Sequence, residues 1–339
     1  MEAEVEFRPA GPSDREEILD LMGATFGRGD RTKDACFWSW KHDCSPFGPS
    51  PVLVAEAENQ LLALRTCLRW RWRVEGHEIR AVRAVDTVTR PVWQRKGLFR
   101  RLTLELLDRL SREGICFVFN TPNSRSLPGY LSMGWTQVAR VPIWVRVKRP
   151  LTASLRLLRG GMYADEAPPP ETSTRLGELF EQPALPSLLQ AAAGDDRRFY
   201  TARSVEYLDW RYKQIPGIVY DARWEIRDEG AAAVIFRRNL RMGIRELRLA
   251  EVLVEPRRQS IRNAARLIED AIAATRPDVV TGVAARATPE AAALRHAGLL
   301  PIPRIGPAFV VRTLQQPLHG PSPFHWPSWR CSLGDLEIL

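Results

Sequence analysis

The chain has 339 residues and a mass of 38.5 kDa, about twice the commonest domain size, so its length favours two domains. Hydrophobic residues make up 45% of the chain and charged residues 26%, which excludes the disordered and fibrous classes. Forty-nine lysines and arginines against 40 acidic residues give a net charge of +9. This charge implies an anionic partner but does not distinguish a phosphorylated cofactor from nucleic acid or a membrane.

The N-terminus and the spacing of cysteines and histidines exclude further classes. Residues 1–4 are acidic where a signal peptide is basic, and no apolar run approaches the roughly 18 residues of a membrane helix. We therefore expect a cytoplasmic protein without membrane association. The five cysteines are odd in number and form no CxxC pair, and the five histidines show no ligand spacing. These patterns predict reduced structural thiols and no metal.

The predicted elements of segment 1–149 alternate between strands and helices. Three consecutive strands are separated by short polar turns, which is typical of antiparallel hairpins, and leucines spaced at helical intervals mark a long amphipathic helix. In chain order we predict a strand (5–9), a helix opened by a capping box (13–16), three strands (51–57, 61–73, 78–89), a long helix from 97, a buried strand (115–119), a short helix (123–133) and a last strand (136–147).

The second half of the chain repeats the order of these elements. At a nearly constant offset along the chain, segment 207–211 aligns with 37–41, Pro256 with Pro91, and Gly298 with Gly134. Three matches in the same order favour a duplication. Between the repeats, the prolines and glycines of 150–203 predict a partly helical connector. We therefore predict a first lobe at 1–149, a connector at 150–203 and a second lobe at 204–339.

A basic turn with a glycine separates the third strand from the long helix of the first lobe. The turn, 94–99, precedes the helix N-terminus, where unpaired N–H groups and the positive end of the helix dipole bind phosphate. Gly97 leaves the backbone bare for such a ligand. A glycine in a basic turn also occurs at ordinary helix starts, so the turn alone does not define a function.

The wider pattern resembles the GCN5-related N-acetyltransferase (GNAT) superfamily. That family usually carries Q/R-x-x-G-x-G/A at this turn and a later motif like N-x-x-A-x-x-L-Y-x-x-x-G-F. The first lobe matches the two motifs at Gln94, Gly97, Asn123, Tyr130 and Gly134, and departs from them at Phe99, Ser126, Gly129 and Trp135. The resemblance, closest to two-lobed members, implies an α/β (α+β) fold with a mixed, mostly antiparallel sheet flanked by helices and duplicated as two lobes.

The resemblance also implies an N-acetyltransferase that moves an acetyl or longer acyl group from CoA to a primary amine. The acceptor would be a small molecule or an amino sugar, which rests on the inter-lobe cleft and on tryptophans that equally suit a core. Acyl-CoA would lie where the third strand and the buried strand separate, and phosphate charge explains part of the basic excess. The residues implied to bind it are Thr87, Val88, Thr89, Gln94, Arg95, Lys96, Gly97, Leu98, Phe99, Arg100 and Asn123.

Two residues are the predicted catalytic groups. A tyrosine, with an unperturbed pKa of about 10, is protonated at neutral pH and can donate to a departing thiolate of pKa about 8.5, so Tyr130 has suitable chemistry. Asp86 is the predicted base, although ideal strand alternation places it on the face of Val82 and Ala84. A bulge would change that face, and a structural salt bridge to a neighbouring arginine is the competing role. Arg83, on the other face, could instead hold an anionic substrate.

The second lobe departs further from the family pattern. At the offset that relates Pro256 to Pro91, Gly97 aligns with Arg262, which predicts one active lobe and one structural lobe. Two alternatives remain: a catalytically silent acyl-CoA-binding or regulatory protein, because Phe99 is large and the base is uncertain, and a nucleic-acid-binding protein. The sequence lacks the basic and aromatic platform, zinc finger or helix-turn-helix that the last alternative needs.

Overall fold

A computed structural model describes residues 4–26, 34–149, 174–194, 197–241, 243–316 and 318–336. The centre of the predicted connector, 150–173, lies outside these residues. Within the described part of the chain, no helix is both long enough and apolar enough to cross a membrane.

The described residues form two β-sheets with helices packed against them. The strands are β1 (Glu6–Pro9), β2 (Val52–Ala57), β3 (Gln60–Val74), β4 (His77–Thr89), β5 (Phe117–Asn120), β6 (Thr136–Arg140), β7 (Ile143–Val147), β8 (Tyr200–Thr201), β9 (Asp221–Glu225), β10 (Ala232–Arg241), β11 (Ile244–Val254), β12 (Val279–Gly282), β13 (Leu300–Ile302) and β14 (Ala308–Thr313). The helices are α1 (Arg15–Phe26), α2 (Ala35–Trp38), α3 (Leu98–Arg112), α4 (Leu127–Ser132), α5 (Thr174–Phe180), α6 (Leu185–Ala193), α7 (Val205–Leu208), α8 (Arg258–Thr275), α9 (Pro289–His296) and α10 (Leu333–Leu336).

The first sheet has the strand order β1-β2-β3-β4-β5-β14-β6, and β8 pairs with the far end of β3. Its pairs are antiparallel except for β4 and β5, which run parallel. The second sheet has the order β13-β7-β12-β11-β10-β9, with a parallel pair between β11 and β12. The prediction of a mixed, mostly antiparallel α/β fold with two such sheets is confirmed.

Helix α3 packs on the first sheet as its leucine spacing predicts. Leu98, Leu102, Leu106 and Leu110 are all buried, because side chains one helical turn apart lie on one helix face. The predicted glycine, Gly97, is the residue before the helix. It has a left-handed φ of +79°, which glycine adopts with less strain than other residues because it lacks a Cβ.

The predicted strand 136–147 is wrong as a single element. It is divided into β6 and β7 around Pro142, which has no N–H to donate to a ladder. The two halves join different sheets: β6 pairs with β14 in the first sheet, and β7 inserts between β12 and β13 in the second.

The sheets exchange strands in both directions. Strand β14, from the end of the chain, lies between β5 and β6 of the first sheet, as β7 lies between β12 and β13 of the second. Each sheet is therefore completed by a strand from the other half of the sequence. The lobe boundaries at 149 and 204 stay predictions, because each sheet contains strands from both sides of them.

The repeat in sequence is a repeat in structure. Helix α2 and the π-helical turn Ser39–Asp43 have their counterpart in α7 and the π-helical turn Asp209–Lys213, as the sequence alignment predicts. The equivalent residues Trp40 and Trp210 stack at 5.2 Å, and each indole N–H donates to the other's backbone carbonyl, at 2.6 and 2.8 Å. This reciprocal contact defines a local pseudo-twofold arrangement.

A large aromatic core joins the two halves. Trp40, Trp70, Trp72 and Trp210 belong to it, and Trp329 packs edge-on against Trp72 at 4.9 Å. The tryptophans that could have formed a sugar-binding surface are buried instead.

Candidate active site

A cleft opens in the first sheet where β4 and β5 separate. Their parallel ladder covers three residue pairs and ends at Arg83 and Phe119, whereas β4 continues to Thr89. On the other side, Thr87, Val88 and Thr89 remain paired with β3. The strand therefore presents to the cleft one edge of this stretch that pairs with no described strand, and the family resemblance implies that an extended cofactor arm would pair with it.

A β-bulge at Asp86 reverses the faces of β4. Arg65 of β3 pairs with Thr87 and Thr66 with Val85, so Asp86 is the extra residue. Ala84, before the bulge, packs in the core beneath α3, and Val88, after it, packs with residues of α1. Ideal alternation therefore fails for Asp86, which contacts the helical turn after α2 on the face opposite α3.

The Asp86 carboxylate is bound by two neighbours on that turn. Its Oδ2 lies 2.7 Å from Lys41 Nζ and 2.9 Å from His42 Nε2, and His42 Nδ1 lies 3.0 Å from Ser50 Oγ. Burial lowers the pKa of His42 against the opposing effect of Asp86. A salt bridge of Asp86 is therefore present, but its partner is Lys41 and not the predicted arginine, and His42 is a hydrogen-bond partner.

The basic turn 94–97 is exposed in front of α3. A Cβ built on Gly97 would meet no atom within 4 Å, so the space above this glycine is open to a ligand. Arg95 also has a left-handed φ of +64°, Lys96 Nζ lies 4.3 Å from the Trp93 ring centroid, and Gln94 donates to the carbonyl of Thr89 at 3.2 Å. A bare helix N-terminus with flanking cations fits a pyrophosphate.

Phe99 and Gly129, two departures from the family pattern, lie against each other. The Cβ that Gly129 lacks would lie 3.2 Å from Cε1 of Phe99, and the Phe99 ring meets Tyr130 edge-on at 5.7 Å. The large residue of α3 therefore occupies space that the glycine of α4 leaves. Beside them, Arg100 donates to the carbonyl of Ser132 at 3.0 Å.

Tyr130 lies on the α3 face of the sheet. It is 4% exposed and packs edge-on against Trp135 at 5.1 Å as well as against Phe99. Tyr130 and Asp86 therefore lie on opposite faces of the sheet. Asn123 accepts hydrogen bonds from the N–H groups of Arg125 and Ser126 at 3.0 and 2.9 Å, so its oxygen caps the turn before α4.

Arg83 connects the cleft to the end of the described chain. Its guanidinium donates to the carbonyls of Asp335 and Leu336 and, at 2.9 Å, to Thr121 Oγ1. Burial and the positive charge of Arg211 lower the pKa of Arg83 to about 10. Arg83 is the residue that could alternatively hold an anionic substrate. Its guanidinium already binds the carbonyls of helix α10, which opposes that role.

In the second sheet, β11 also carries a bulge and separates from β12 beyond Leu249, as β4 separates from β5. Ile235 pairs with Glu251 and Phe236 with Leu249, so the extra residue is Ala250, and its neighbour Glu251 aligns with Asp86 at the offset that relates Pro256 to Pro91. Glu251 is buried, accepts from Tyr212 at 2.7 Å and pairs with Arg203 at 3.1 Å. The π-helical turn after α7 therefore binds an acidic residue at the bulge, as the turn after α2 binds Asp86.

Side chains of the protein itself occupy the second cleft. Between the ends of β11 and β12 there remains a cavity of about 20 Å³, lined by Arg203, Val252 and Arg330 among others. Arg330 is held there by the carbonyls of Ala192 and Ala193. Such a volume admits about one water molecule, so a cofactor arm does not fit.

The strand-to-helix connection of the second sheet is also short. Segment 90–97 joins β4 to α3, whereas only 255–257 join β11 to α8. The alignment of Gly97 with Arg262 is wrong, because Arg262 lies inside α8 and the residue before that helix is Arg257, with φ −117°. The basic turn has no counterpart in the second sheet.

Residues 6–138 match the family model of the acetyltransferase (GNAT) domain. No curated protein matches the chain. Among solved structures, the chain is similar to a protein from Enterococcus faecalis V583 described as a "Probable N-Acyltransferase" (TM-score 0.62, 13% identity, 92% of this chain and 73% of that chain) and to a GCN5-related N-acetyltransferase from Anabaena variabilis ATCC 29413 (0.64, 12%, 92% and 73%). A GCN5-related N-acetyltransferase from Kribbella flavida is also similar (0.56, 14%, 92% and 71%).

The structural likenesses, at 12–14% identity, are of fold, and they extend over both sheets because they cover 92% of the chain. The family match contains the cleft, the basic turn and helix α4. Residues 6–138 therefore form a GNAT acetyltransferase domain.

Proposed function

We propose that the first sheet binds one acyl-CoA per chain and that the protein transfers the acyl group to a primary amine. The observation that carries the proposal is the end of the β4–β5 ladder at Arg83 and Phe119, beyond which no described strand pairs with that edge of β4 as far as the bare turn at Gly97. The exposed cations Arg95, Lys96 and Arg100 would balance the phosphates, and the edge of β4 at residues 87–89 would pair with the pantetheine arm.

The two faces of the cleft would serve different reactants. The cofactor would lie on the α3 face, where Gly97, Phe99 and Tyr130 are found. The acceptor would arrive from the opposite face, where Asp86 lies, so that amine and thioester meet in the opening. Orientation of this kind supplies a large part of the rate enhancement in acyl transfer.

Proton transfer at the cleft would need one base and one acid. An amine with a pKa near 10 is neutral in only about one molecule in 10³ at pH 7, so a proton must be removed before attack. Asp86 is the proposed base, a β4 N–H that points away from β3, such as that of Thr87, would donate to the tetrahedral oxyanion, and the Tyr130 hydroxyl would protonate the departing sulfur. The pairing of Asp86 with Lys41 opposes the first role, because a bound carboxylate loses attraction when it takes a proton.

Calorimetric titration of acetyl-CoA into the full chain tests the cofactor site without knowledge of the acceptor. We expect a stoichiometry of one, and binding that is lost in Gly97→Glu, because the new carboxylate repels phosphate and blocks the turn. Gly97→Ala, which adds only a Cβ and about 1 kcal/mol of backbone strain, should bind more weakly but measurably. Arg257→Glu, before α8 of the second sheet, is the matched control and should leave binding unchanged.

Two results would contradict the proposal. A stoichiometry of two would show that the second sheet also binds, and absence of binding to the folded wild type would show that the turn does not accept the cofactor. Binding without turnover on any amine would instead favour the silent acyl-CoA-binding protein.

A further inference from the structure

Arg65 is a buried cation that makes no ion pair within the described part of the chain. It is 1% exposed, and its Nη1 donates to the carbonyl of Val85 at 3.3 Å. Its Nε and Nη2 find no hydrogen-bond partner among the residues that the structure describes. Asp86, whose charge acts on Arg65, is already bound by Lys41 and His42. Burial of an unpaired charge opposes folding, so this arginine calls for a reason beyond stability.

The surroundings of Arg65 point to the cofactor face of the cleft. On β3 it alternates with Ala63 and Cys67, which pack in the core beneath α3. Its guanidinium carbon lies 5.7 Å from the ring centroid of Phe99 and 5.4 Å from that of Tyr130. Burial raises the pKa of Cys67 to about 11, so at neutral pH this neighbour is an uncharged thiol. The two aromatic rings and the hydroxyl of Tyr130 are therefore the main partners of the positive charge.

We infer that Arg65 stabilises the negative charge that forms on the cofactor's sulfur when the acyl group leaves. The inference rests on the proposed function, in which Tyr130 lies beside that sulfur. As the C–S bond breaks, its electron pair stays on sulfur, and the proton then comes from the Tyr130 hydroxyl. The charge passes from sulfur to the tyrosine oxygen, which solvent reprotonates. The fixed positive charge of Arg65 beside the Tyr130 ring stabilises both the thiolate and the tyrosinate, because Arg65 is buried and little water screens its charge.

The same role explains why Phe99 departs from the family pattern. A small residue at this position would leave the face of the guanidinium open to water, which would screen its charge. Phe99 covers that face, and Gly129 provides the room for its ring. Arg65 acts through Tyr130 and through the field it creates, so it is a positioning residue.

A comparison of CoA with desulfo-CoA, which lacks the sulfur, tests the inference by binding alone. A thiol ionises near pH 8.5, so a site that prefers the thiolate binds CoA more tightly than desulfo-CoA as the pH rises. For the full-length wild type we expect the affinity ratio to rise about tenfold between pH 7 and 9. In Arg65→Met, which is similar in length but uncharged, the ratio should stay constant, and Arg65→Lys should retain part of the rise.

Cys67→Ala is the matched control, because it alters the same face of β3 without removing a charge, and it should keep the wild-type ratio. A ratio that does not change with pH in the wild type overturns the inference, even where Arg65→Met fails to fold. An unchanged rise in folded Arg65→Met also overturns it. Failure of the wild type to bind either ligand would instead overturn the proposed function.

Discussion

Asp86 and Tyr130 illustrate how single residues are fixed on opposite faces of one sheet. The bulge turns Asp86 toward the helical turn that carries Lys41 and His42, while Tyr130 remains on the face of α3. Lys41 has a side chain only 4% exposed, and its ion pair with Asp86 is therefore largely desolvated. Removal of one partner of such a pair costs about 3–5 kcal/mol, so any test of catalysis at Asp86 must be separated from its effect on stability.

Substitutions at these two residues should both reduce turnover, but in different ways. Tyr130→Phe should lower kcat by about tenfold or more with little change in the KM for acetyl-CoA, because the ring remains and only the proton donor is lost. Asp86→Asn should lower kcat by a similar factor and also lower the midpoint of urea unfolding. Steady-state kinetics on an amine that the enzyme accepts, and urea titration, measure the two effects.

Lys41→Met separates the base from the ion pair. It destabilises the protein but keeps the carboxylate, so it should retain kcat if Asp86 takes the proton. Equal losses of kcat in Asp86→Asn and Lys41→Met would assign both residues to the structure of the bulge, and an unchanged kcat in Tyr130→Phe would remove Tyr130 from the mechanism.

Single residues can be predicted from the sequence where the signal is local. The turn at Gly97 and the stripe of leucines in α3 are read from neighbouring positions, and the structure contains both. Sequence reasoning misses Lys41, His42 and Arg65, because each gains its role from a partner on another element, as His42 does from Asp86. A charged residue between buried Ala63 and Cys67 is a signal that could have found Arg65.

At the scale of elements, α3 and α4 meet through a pair of residues whose sizes are exchanged relative to the family pattern. Phe99 fills the space that Gly129 leaves, and a Cβ at 129 would already lie 3.2 Å from the Phe99 ring. A contact this tight couples the two positions, so changes at one should depend on the residue at the other.

A double-mutant cycle measures this coupling. Gly129→Leu should destabilise the protein by about 1–3 kcal/mol through overpacking, and Phe99→Ala by about 2 kcal/mol or more through the cavity it leaves. The double variant should recover at least about 1 kcal/mol of the summed loss, as measured by urea unfolding. Additive effects would mean that the two residues do not share the space. Leu102→Ala, in the same helix, paired with Gly129→Leu is the control for nonspecific coupling.

Element boundaries show where sequence reasoning ends. The periodicity of 136–147 is that of a strand throughout, and Pro142 is the local sign of a break. The transfer of β7 to the second sheet could not be predicted, because an apolar strand such as β7 or β14 suits either of two similar sheets. The sequence allows a bulge at Asp86, but the position of the bulge depends on the register between β3 and β4.

At the scale of the whole molecule, the exchanged strands make each sheet depend on both halves of the chain. Without the second half of the chain, the first sheet would lose β14, which pairs with both β5 and β6, and β7 would lose its partners β12 and β13. We therefore expect the full chain to unfold in one calorimetric transition, and segment 1–149 expressed alone to lack cooperative unfolding.

A protease site inserted between 150 and 173 is the control: the cut halves should co-elute on size exclusion, because the strand exchange and the Trp40–Trp210 contact do not need that link. Two separate transitions, or a cooperatively folded 1–149 fragment, would show that the first sheet is stable without β14.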